Sequence, residues 1–196
     1  MLDILLIGFG MTKVMGKVPD YLFPLPVVLI SCSDKTGKKN LMTVAWVSKV
    51  CTEPPLISAA IRPSRLTNSI IKQSGEFVVN IPTEQILKQM DLCGLISGRD
   101  VNKFDAAKFT AENATKVRAP LVRECPANFE CAVRNSVALG SHDLFIAEVV
   151  AVHYDQSILT ADGAVDYTKA KPVIYATPGY WRLGECIGKV GFSAAK

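Results

Sequence analysis

A cluster of short polar and basic side chains lies where a strand pattern ends and a helix pattern begins. Ser64, Thr67 and Asn68 supply hydroxyl and amide donors. Arg62 and Arg65 supply fixed cations whose planar guanidinium groups suit phosphate oxygens. A helix start adds free N–H groups and the positive end of the helix dipole. This set of donors is typical of a site for a phosphate monoester, which carries close to two negative charges at pH 7.

The same residues have a second interpretation. Thr67 or Asn68 can act as the N-cap of a short helix that ends at Gly75. In that case the two arginines before the cap are simply solvated. Composition alone does not separate the two interpretations, so a ligand site and an ordinary capped helix both stay open at this point.

The size and charge of the chain exclude several classes of protein. Its 196 residues are enough for one domain with a substantial core, which we place at residues 21–190, after an N-terminal extension or first strand over residues 1–20. The 22 basic and 18 acidic residues give a net charge of +4, spread along the chain, which does not indicate a nucleic-acid-binding protein.

The first residues and the cysteines indicate a cytoplasmic protein. The apolar run over residues 4–11 is too short to span a bilayer and lacks the features of a signal peptide, so we expect no membrane association. The six cysteines are scattered without zinc spacing and are interpreted as reduced thiols. Because His142 and His153 are the only histidines, we predict no metal site.

Short β-rich segments separated by turns dominate the chain, which indicates an all-β barrel with short helices rather than alternating βα units. The predicted strands are Val27–Ser33, Leu41–Ser48, Leu56–Ile61, Glu76–Ile81, Ala127–Leu139, Leu144–Tyr154 and Val173–Ala176. Thr83 is the expected N-cap of a helix from Glu84 to about Cys93. Residues 94–113 are predicted to form a polar loop.

Five motifs occur in order along the chain and together resemble one family. They are Asn40-Leu-Met-Thr43-Val-Ala45-Trp46, Arg62-Pro-Ser64-Arg65-Leu-Thr67, Glu76-Phe-Val-Val-Asn80, Ser97-Gly-Arg-Asp-Val-Asn-Lys103-Phe104 and Gly140-Ser-His142-Asp-Leu-Phe-Ile-Ala-Glu148-Val. The chain resembles the flavin reductase-like, FMN-binding split-barrel family, and most closely its flavoredoxin-type branch. The resemblance covers roughly residues 24–188 and favours the ligand site over the simple capped helix.

The resemblance implies a role for each motif. The residues expected to line the flavin ring are Thr43, Val44, Ala45 and Trp46. Those expected at the phosphate are Ser64, Arg65 and Thr67, with Arg62 and Asn68 beside them. Those expected over the ribityl–phosphate region are Ser97, Gly98 and Lys103, with Phe104 packed beneath and Asn80 supporting the pocket from the next strand. His142 is expected near the flavin, from this or a second subunit, and is the one candidate catalytic residue.

The family resemblance also implies function and partners. It implies an FMN-binding flavoprotein that transfers electrons, forms a homodimer, and receives electrons from NADH, NADPH or a ferredoxin-like protein. The protein then needs no catalytic triad or metal cluster, because the flavin carries the redox chemistry. Two alternatives remain: a non-catalytic FMN-binding protein of the same fold, and a partner-binding barrel domain without flavin.

Overall fold

The computed structural model describes residues 15–16 and 22–194, in which β-strands predominate and helices are short. The strands are β1 (Leu25–Pro26), β2 (Val28–Ser33), β3 (Lys39–Val44), β4 (Val47–Cys51), β5 (Leu56–Ile61), β6 (Glu76–Ile81), β7 (Ala111–Glu112), β8 (Leu121–Val122), β9 (Ala127–Ala138), β10 (Asp143–Tyr154), β11 (Val173–Ala176) and β12 (Gly179–Arg182). The α-helices are α1 (Leu66–Ser74), α2 (Leu87–Leu95), α3 (Lys103–Ala107) and α4 (Tyr167–Ala170). The expectation for residues 1–20 falls almost entirely outside the described residues.

A seven-stranded antiparallel sheet forms the centre of the molecule, in the order β3-β2-β6-β9-β10-β5-β4. The two edge strands, β3 and β4, are joined by only Ala45 and Trp46. Three peptide units span at most about 10 Å, so the ends of the two edge strands must meet at this corner. The sheet therefore curls into a barrel that is open along a seam between β3 and β4.

Strand β2 is buried on both faces because it separates two hydrophobic clusters. The inner cluster fills the barrel, with Ile30 of β2 packed against Phe77 and Phe145. On the other face, Leu29 packs with Met90 of α2 and Phe104 of α3. Helices α2 and α3 therefore cover the outside of the barrel next to β3, the strand that leads to the corner.

A buried carboxylate holds the segment between β7 and β8. Glu130 of β9 is fully buried and accepts hydrogen bonds from the backbone N–H groups of Thr115, Lys116 and Val117 at 2.6–3.0 Å. His153 of β10 lies 2.6 Å from the same carboxylate. Burial alone would raise the pKa of Glu130, but the hydrogen bonds from Thr115, His153 and Lys116 outweigh burial and bring the pKa to about 2.

Several predicted elements differ from the observed ones. The predicted strand Leu41–Ser48 was wrong in its continuity, because the chain turns at Ala45–Trp46 and passes from one edge of the sheet to the other. The predicted loop over residues 94–113 contains the helix α3, whose first turn is capped by the Asn102 side chain. The chain also adds strand β12 beyond the last predicted strand, where it pairs with β11.

The predicted helix from Glu84 to about Cys93 has the predicted N-cap residue, but its first turn is not α-helical. Thr83 accepts a hydrogen bond from the N–H of Gln85, as an N-cap residue does. Residues Glu84–Ile86 form a 3₁₀ turn, and the α-helix runs from Leu87 to Leu95. In the described part of the chain, no helix is long and apolar enough to cross a membrane.

Candidate functional site

A small cavity of roughly 80 Å³ lies between the start of α1, strand β3 and the α2–α3 connection. Residues 64–67 line one wall and residues 96–99 line the other. The predicted phosphate and ribityl residues found in its lining are Ser64, Arg65, Thr67, Ser97, Gly98 and Lys103. The fold therefore brings two motifs that are about thirty residues apart in sequence into one concave site.

Helix α1 presents its first turn to this cavity, but it begins earlier than predicted. Arg65 is the N-cap residue, in an extended conformation and without a side-chain capping hydrogen bond. The predicted cap at Thr67 or Asn68 is wrong, since both residues lie inside the helix. Thr67 consequently points from the first turn into the cavity lining, and its hydroxyl is not used to cap the helix.

Lys103 is a buried basic residue in the lining of the cavity. It is 5% exposed and donates a hydrogen bond to the backbone carbonyl of Cys93 at 2.6 Å. Among the described residues, no carboxylate forms an ion pair with it. Burial lowers the pKa of Lys103, and the nearby Arg65 guanidinium lowers it further against an opposing effect of Cys93. A buried cation without a counter-charge indicates that an anion belongs in the cavity.

Two of the cavity residues that were not predicted as site residues carry polar side chains, Asn40 and Arg99. Asn40, at the start of β3, is 2% exposed and donates a hydrogen bond from Nδ2 to Oγ1 of Thr67 at 2.8 Å. Arg99 donates from Nη1 to the backbone carbonyl of Ser64 at 2.8 Å, which ties the two walls together. Asn40 is the first residue of the first family motif, and its place in that motif was the sequence feature that could have indicated a site residue.

A second group of predicted residues meets at the corner between β3 and β4. The rings of Trp46 and His142 have centroids 4.3 Å apart and an interplanar angle of 40°. Trp46 stays 42% exposed. Partial burial lowers the pKa of His142, and the positive charge of Arg62 lowers it further. Histidine 142 is therefore biased toward its neutral form, with Arg62 as the fixed positive charge beside it.

The remaining predicted ring residues differ in where their side chains lie. Ala45 and Trp46 line an open, mainly apolar cavity of roughly 400 Å³. Val44 is buried in the inner hydrophobic cluster of the barrel. The Thr43 hydroxyl donates to the backbone carbonyl of Met90 in α2. Only Ala45 and Trp46 of the four therefore present side chains to that cavity, and the other two have only backbone groups free for a ligand there.

Asn68 does not lie in the cavity lining. Its amide nitrogen donates to the carbonyl of Ile61 at 3.0 Å and to the carboxylate of Asp143 at 2.8 Å. Lys72 approaches the same carboxylate at 2.7 Å, and these two partners lower the pKa of Asp143. Asn68 thus fastens α1 to strands β5 and β10, and its predicted contact with a ligand has no support in this arrangement.

Asn80 is likewise a framework residue. It is fully buried, its amide nitrogen donates to the Leu29 carbonyl at 3.0 Å and to Oγ of Ser31 at 2.9 Å, and its oxygen accepts from the N–H of Val122. Its hydrogen bonds join β6 to β2 and β8. Phe104 packs in the outer hydrophobic cluster with Leu29 and Met90 and is not in the lining of the small cavity, so its place beneath the ligand stays a prediction.

Comparison with known proteins identifies the family. The family described as flavin reductase like domain matches residues 21–184. An uncharacterized protein of Archaeoglobus fulgidus is 37% identical over 160 residues, which cover 82% of this chain and 88% of that protein. An NADH-dependent flavin reductase of Pseudomonas fluorescens, StyB, is 26% identical over 130 residues, covering 66% of this chain and 72% of that protein.

Solved structures agree with the family match. The flavoredoxin of Desulfovibrio vulgaris (Miyazaki F) superimposes with a TM-score of 0.88 at 30% identity, covering 94% of this chain and 100% of that one. The flavoredoxin of Methanosarcina acetivorans gives a TM-score of 0.86, also at 30% identity and with the same two coverages. These matches confirm the predicted split barrel with short helices. The chain therefore belongs to the flavin reductase-like family.

Proposed function

We propose that this protein binds FMN and transfers electrons through it. The observation that carries the proposal is the small cavity that Lys103 lines together with Ser64 and Thr67, since Lys103 is a buried cation with no carboxylate partner within the described part of the chain. A compact anion bound in the cavity would balance the charge of Lys103 and accept hydrogen bonds from the hydroxyl groups of Ser64 and Thr67. The family membership and the two flavoredoxin structures support FMN as the source of that anion.

The residues of the cavity fit a phosphate monoester. Lys103 and Arg65 would balance its charge, while the hydroxyl groups of Ser64, Thr67 and Ser97 would donate to its oxygens. Gly98 allows residues 96–99 to lie close against β3, because a Cβ atom there would lie 2.0 Å from Oδ1 of Asn40. When bound, FMN supplies the reversible uptake and release of electrons that amino-acid side chains do not provide.

We assign the flavin ring to the corner formed by residues 43–46, next to the phosphate cavity along β3. Trp46 and His142 would pack against the ring, and backbone groups of residues 43–46 would bond its polar edge. Arg62 would place a fixed positive charge near the ring, and a positive charge stabilises the negative charge that a flavin gains on reduction. His142, biased toward the neutral form, would act by packing and hydrogen bonding rather than as a cation.

The assembly we propose is a homodimer of domains that extend over residues 21–190. An apolar cleft of roughly 580 Å³ opens beside strands β4 and β5, with Val47, Ile57 and Phe129 in its lining. Exposed apolar side chains surround the flavin corner as well, including Leu139 of the turn that carries His142. An apolar surface of this kind favours a protein partner. A second copy of the chain would then lie against the ring side of the site.

The electron donor we propose is NADH, NADPH or a ferredoxin-like protein, and the proposed compartment is the cytoplasm. The name of StyB, an NADH-dependent flavin reductase, supports a nicotinamide nucleotide, and the ferredoxin-like donor is what the resemblance to flavoredoxins implies. All six cysteines are free thiols in the structure, which agrees with a reducing compartment.

Anaerobic reduction tests the function directly. The purified protein, saturated with FMN, is mixed in parallel with NADH, NADPH and reduced ferredoxin while the flavin absorbance is followed. Bleaching by a nicotinamide nucleotide assigns a flavin reductase, and bleaching by ferredoxin alone assigns electron transfer between proteins. FMN that binds but is reduced by none of the three would leave a non-catalytic FMN-binding protein.

The phosphate assignment has its own test. Arg65→Ala is expected to weaken FMN binding by about tenfold or more, because it removes a charged phosphate contact. Arg123→Ala is the matched control, since Arg123 pairs with Glu112 on the exposed surface and lies outside the cavity lining. Equal FMN affinity for the two variants in a fluorescence titration would contradict the assignment.

A further inference from the structure

Asn40 and Thr67 form a buried hydrogen bond in the wall of the cavity that the phosphate contacts alone do not explain. Nδ2 of Asn40 donates to Oγ1 of Thr67 at 2.8 Å, and the two residues are 2% and 1% exposed. They come from different elements, the start of β3 and the first turn of α1. Both also belong to the lining of the cavity.

The direction of this hydrogen bond determines what the Thr67 hydroxyl can do. A hydroxyl group carries one proton and can accept two hydrogen bonds. Because the amide nitrogen of Asn40 donates and cannot accept, the Thr67 proton must point away from Asn40. The thiol of Cys32 is the nearby alternative partner, but burial keeps that thiol neutral by raising its pKa to about 12, and a thiol is a weak acceptor.

Asn40 lies close to Gly98 in the opposite wall of the cavity. A Cβ atom added at Gly98 would lie 2.0 Å from Oδ1 of Asn40 and 2.9 Å from its Cγ. Asn40 therefore occupies the space that a side chain at position 98 would need. Thr67, Asn40 and Gly98 therefore lie next to one another in the cavity lining.

We propose that Asn40 is a positioning residue for phosphate recognition, acting through Thr67. By occupying an acceptor position on Oγ1, Asn40 holds the Thr67 hydroxyl as a donor toward the cavity. This inference rests on the proposed function, because it takes the phosphate of FMN as the acceptor. It adds to that function the reason why a buried amide is placed at the start of β3.

A double-mutant cycle with two ligands tests the proposal. Wild type, Asn40→Leu, Thr67→Val and the double variant are each titrated with FMN and with riboflavin, which has the same ring and no phosphate. Asn40→Leu is expected to weaken FMN binding by about tenfold or more, the loss typical of a hydrogen bond to a charged group, and to change riboflavin binding less than twofold. The double variant is expected to match Thr67→Val within about twofold, because Asn40 acts through that hydroxyl.

The outcomes separate the two proposals. A wild-type protein that binds FMN no tighter than riboflavin would overturn the phosphate site and hence the proposed function. If the wild type prefers FMN, two results would overturn only the positioning role. In the first, Asn40→Leu weakens the binding of FMN and of riboflavin equally. In the second, the losses of the two single variants add up in the double variant. Thermal unfolding of each ligand-free variant shows whether it is folded.

If Asn40→Leu does not fold, Asn40→Asp can replace it in the double-mutant cycle. Asn40→Asp keeps the shape of the side chain but replaces the donor by an acceptor, so the Thr67 proton is drawn away from the cavity. The added negative charge would weaken FMN binding in both backgrounds. Only the part of the loss in FMN affinity that disappears in the Thr67→Val background is therefore assigned to the coupling between Asn40 and Thr67. A loss of FMN affinity of the same size in both backgrounds would refute the positioning role.

Discussion

Replacement of Lys103 by methionine should separate binding from folding, because two opposing contributions act in the ligand-free protein. The variant removes a buried cation, which relieves a desolvation cost. It also removes the hydrogen bond from the charged Nζ to the Cys93 carbonyl near the end of α2, a loss of about 1.5–3 kcal/mol. We expect the free energy of unfolding without ligand to change by less than about 1 kcal/mol, because the two contributions offset each other.

With FMN the balance is different, since nothing offsets the loss of a charged phosphate contact. A hydrogen bond to a charged group contributes about 1.5–3 kcal/mol, which raises the Kd for FMN by roughly 10- to 150-fold. At an FMN concentration of about 100 times the wild-type Kd, the ligand stabilises wild type by about 2.7 kcal/mol. A variant with a 100-fold weaker Kd gains only about 0.4 kcal/mol at that concentration.

Thermal unfolding with and without FMN measures this difference. For a protein of this size the stabilisation by FMN should differ between wild type and Lys103→Met by roughly 5–10 °C in Tm. Lys88→Met is the control, since Lys88 is exposed on the same helix that supplies the Cys93 carbonyl. A large drop in the Tm of the ligand-free variant, with an unchanged Kd for FMN, would show that Lys103 serves only to cap α2 and would refute the reasoning.

Three further changes have definite expected outcomes. Gly98→Ala should weaken FMN binding and lower the free energy of unfolding by about 1–3 kcal/mol in urea titrations, because the new Cβ would lie 2.0 Å from a side-chain oxygen of β3. Gly184→Ala is the control, since the space around Gly184 is open, and it should change neither FMN binding nor stability. The carboxylate of Glu130 contributes stability at pH values above its ordinary pKa of 4.5, and about 3 kcal/mol should be lost as the pH falls to about 2. Glu130→Gln should lack this pH dependence in acid urea titrations and be less stable near pH 7. FMN should quench tryptophan fluorescence in Trp181→Phe much as in wild type and far less in Trp46→Phe, whereas equal quenching in both would remove the flavin ring from the corner at Trp46.

The strands were predictable where local pattern and tertiary role agree. In β9, the spacing of two residues between Phe129, Cys131 and Val133 predicts a strand, and these three side chains pack in the inner hydrophobic cluster of the barrel. The turn at Ala45–Trp46 was missed because residues 41–48 have the composition of one continuous strand. What breaks the strand is the closure of the sheet, in which the chain must leave one edge and join the other. That requirement is not visible in any local window of sequence.

The candidate site shows a similar limit, which concerns the direction of polar side chains. Residue type suggested Asn68 as a phosphate residue, and the family resemblance placed Asn80 as a support of the pocket, yet both amides bond to the framework. Asn40 was passed over although it faces the cavity. An asparagine on a strand or helix can serve either purpose, and only the partners within reach decide which. The sequence identifies segments that can bind phosphate, whereas the packing determines which of their side chains remain available.

The two halves of the site also differ in how complete they are within one chain. The phosphate cavity is enclosed by α1, β3 and the α2–α3 connection, and the Arg99–Ser64 hydrogen bond ties its walls together. The corner at Trp46 instead opens onto an apolar cavity of roughly 400 Å³. Affinity for FMN should therefore depend mainly on residues of one subunit. The environment of the flavin ring, and with it the ease of reduction, should depend on what covers that corner in the assembled protein.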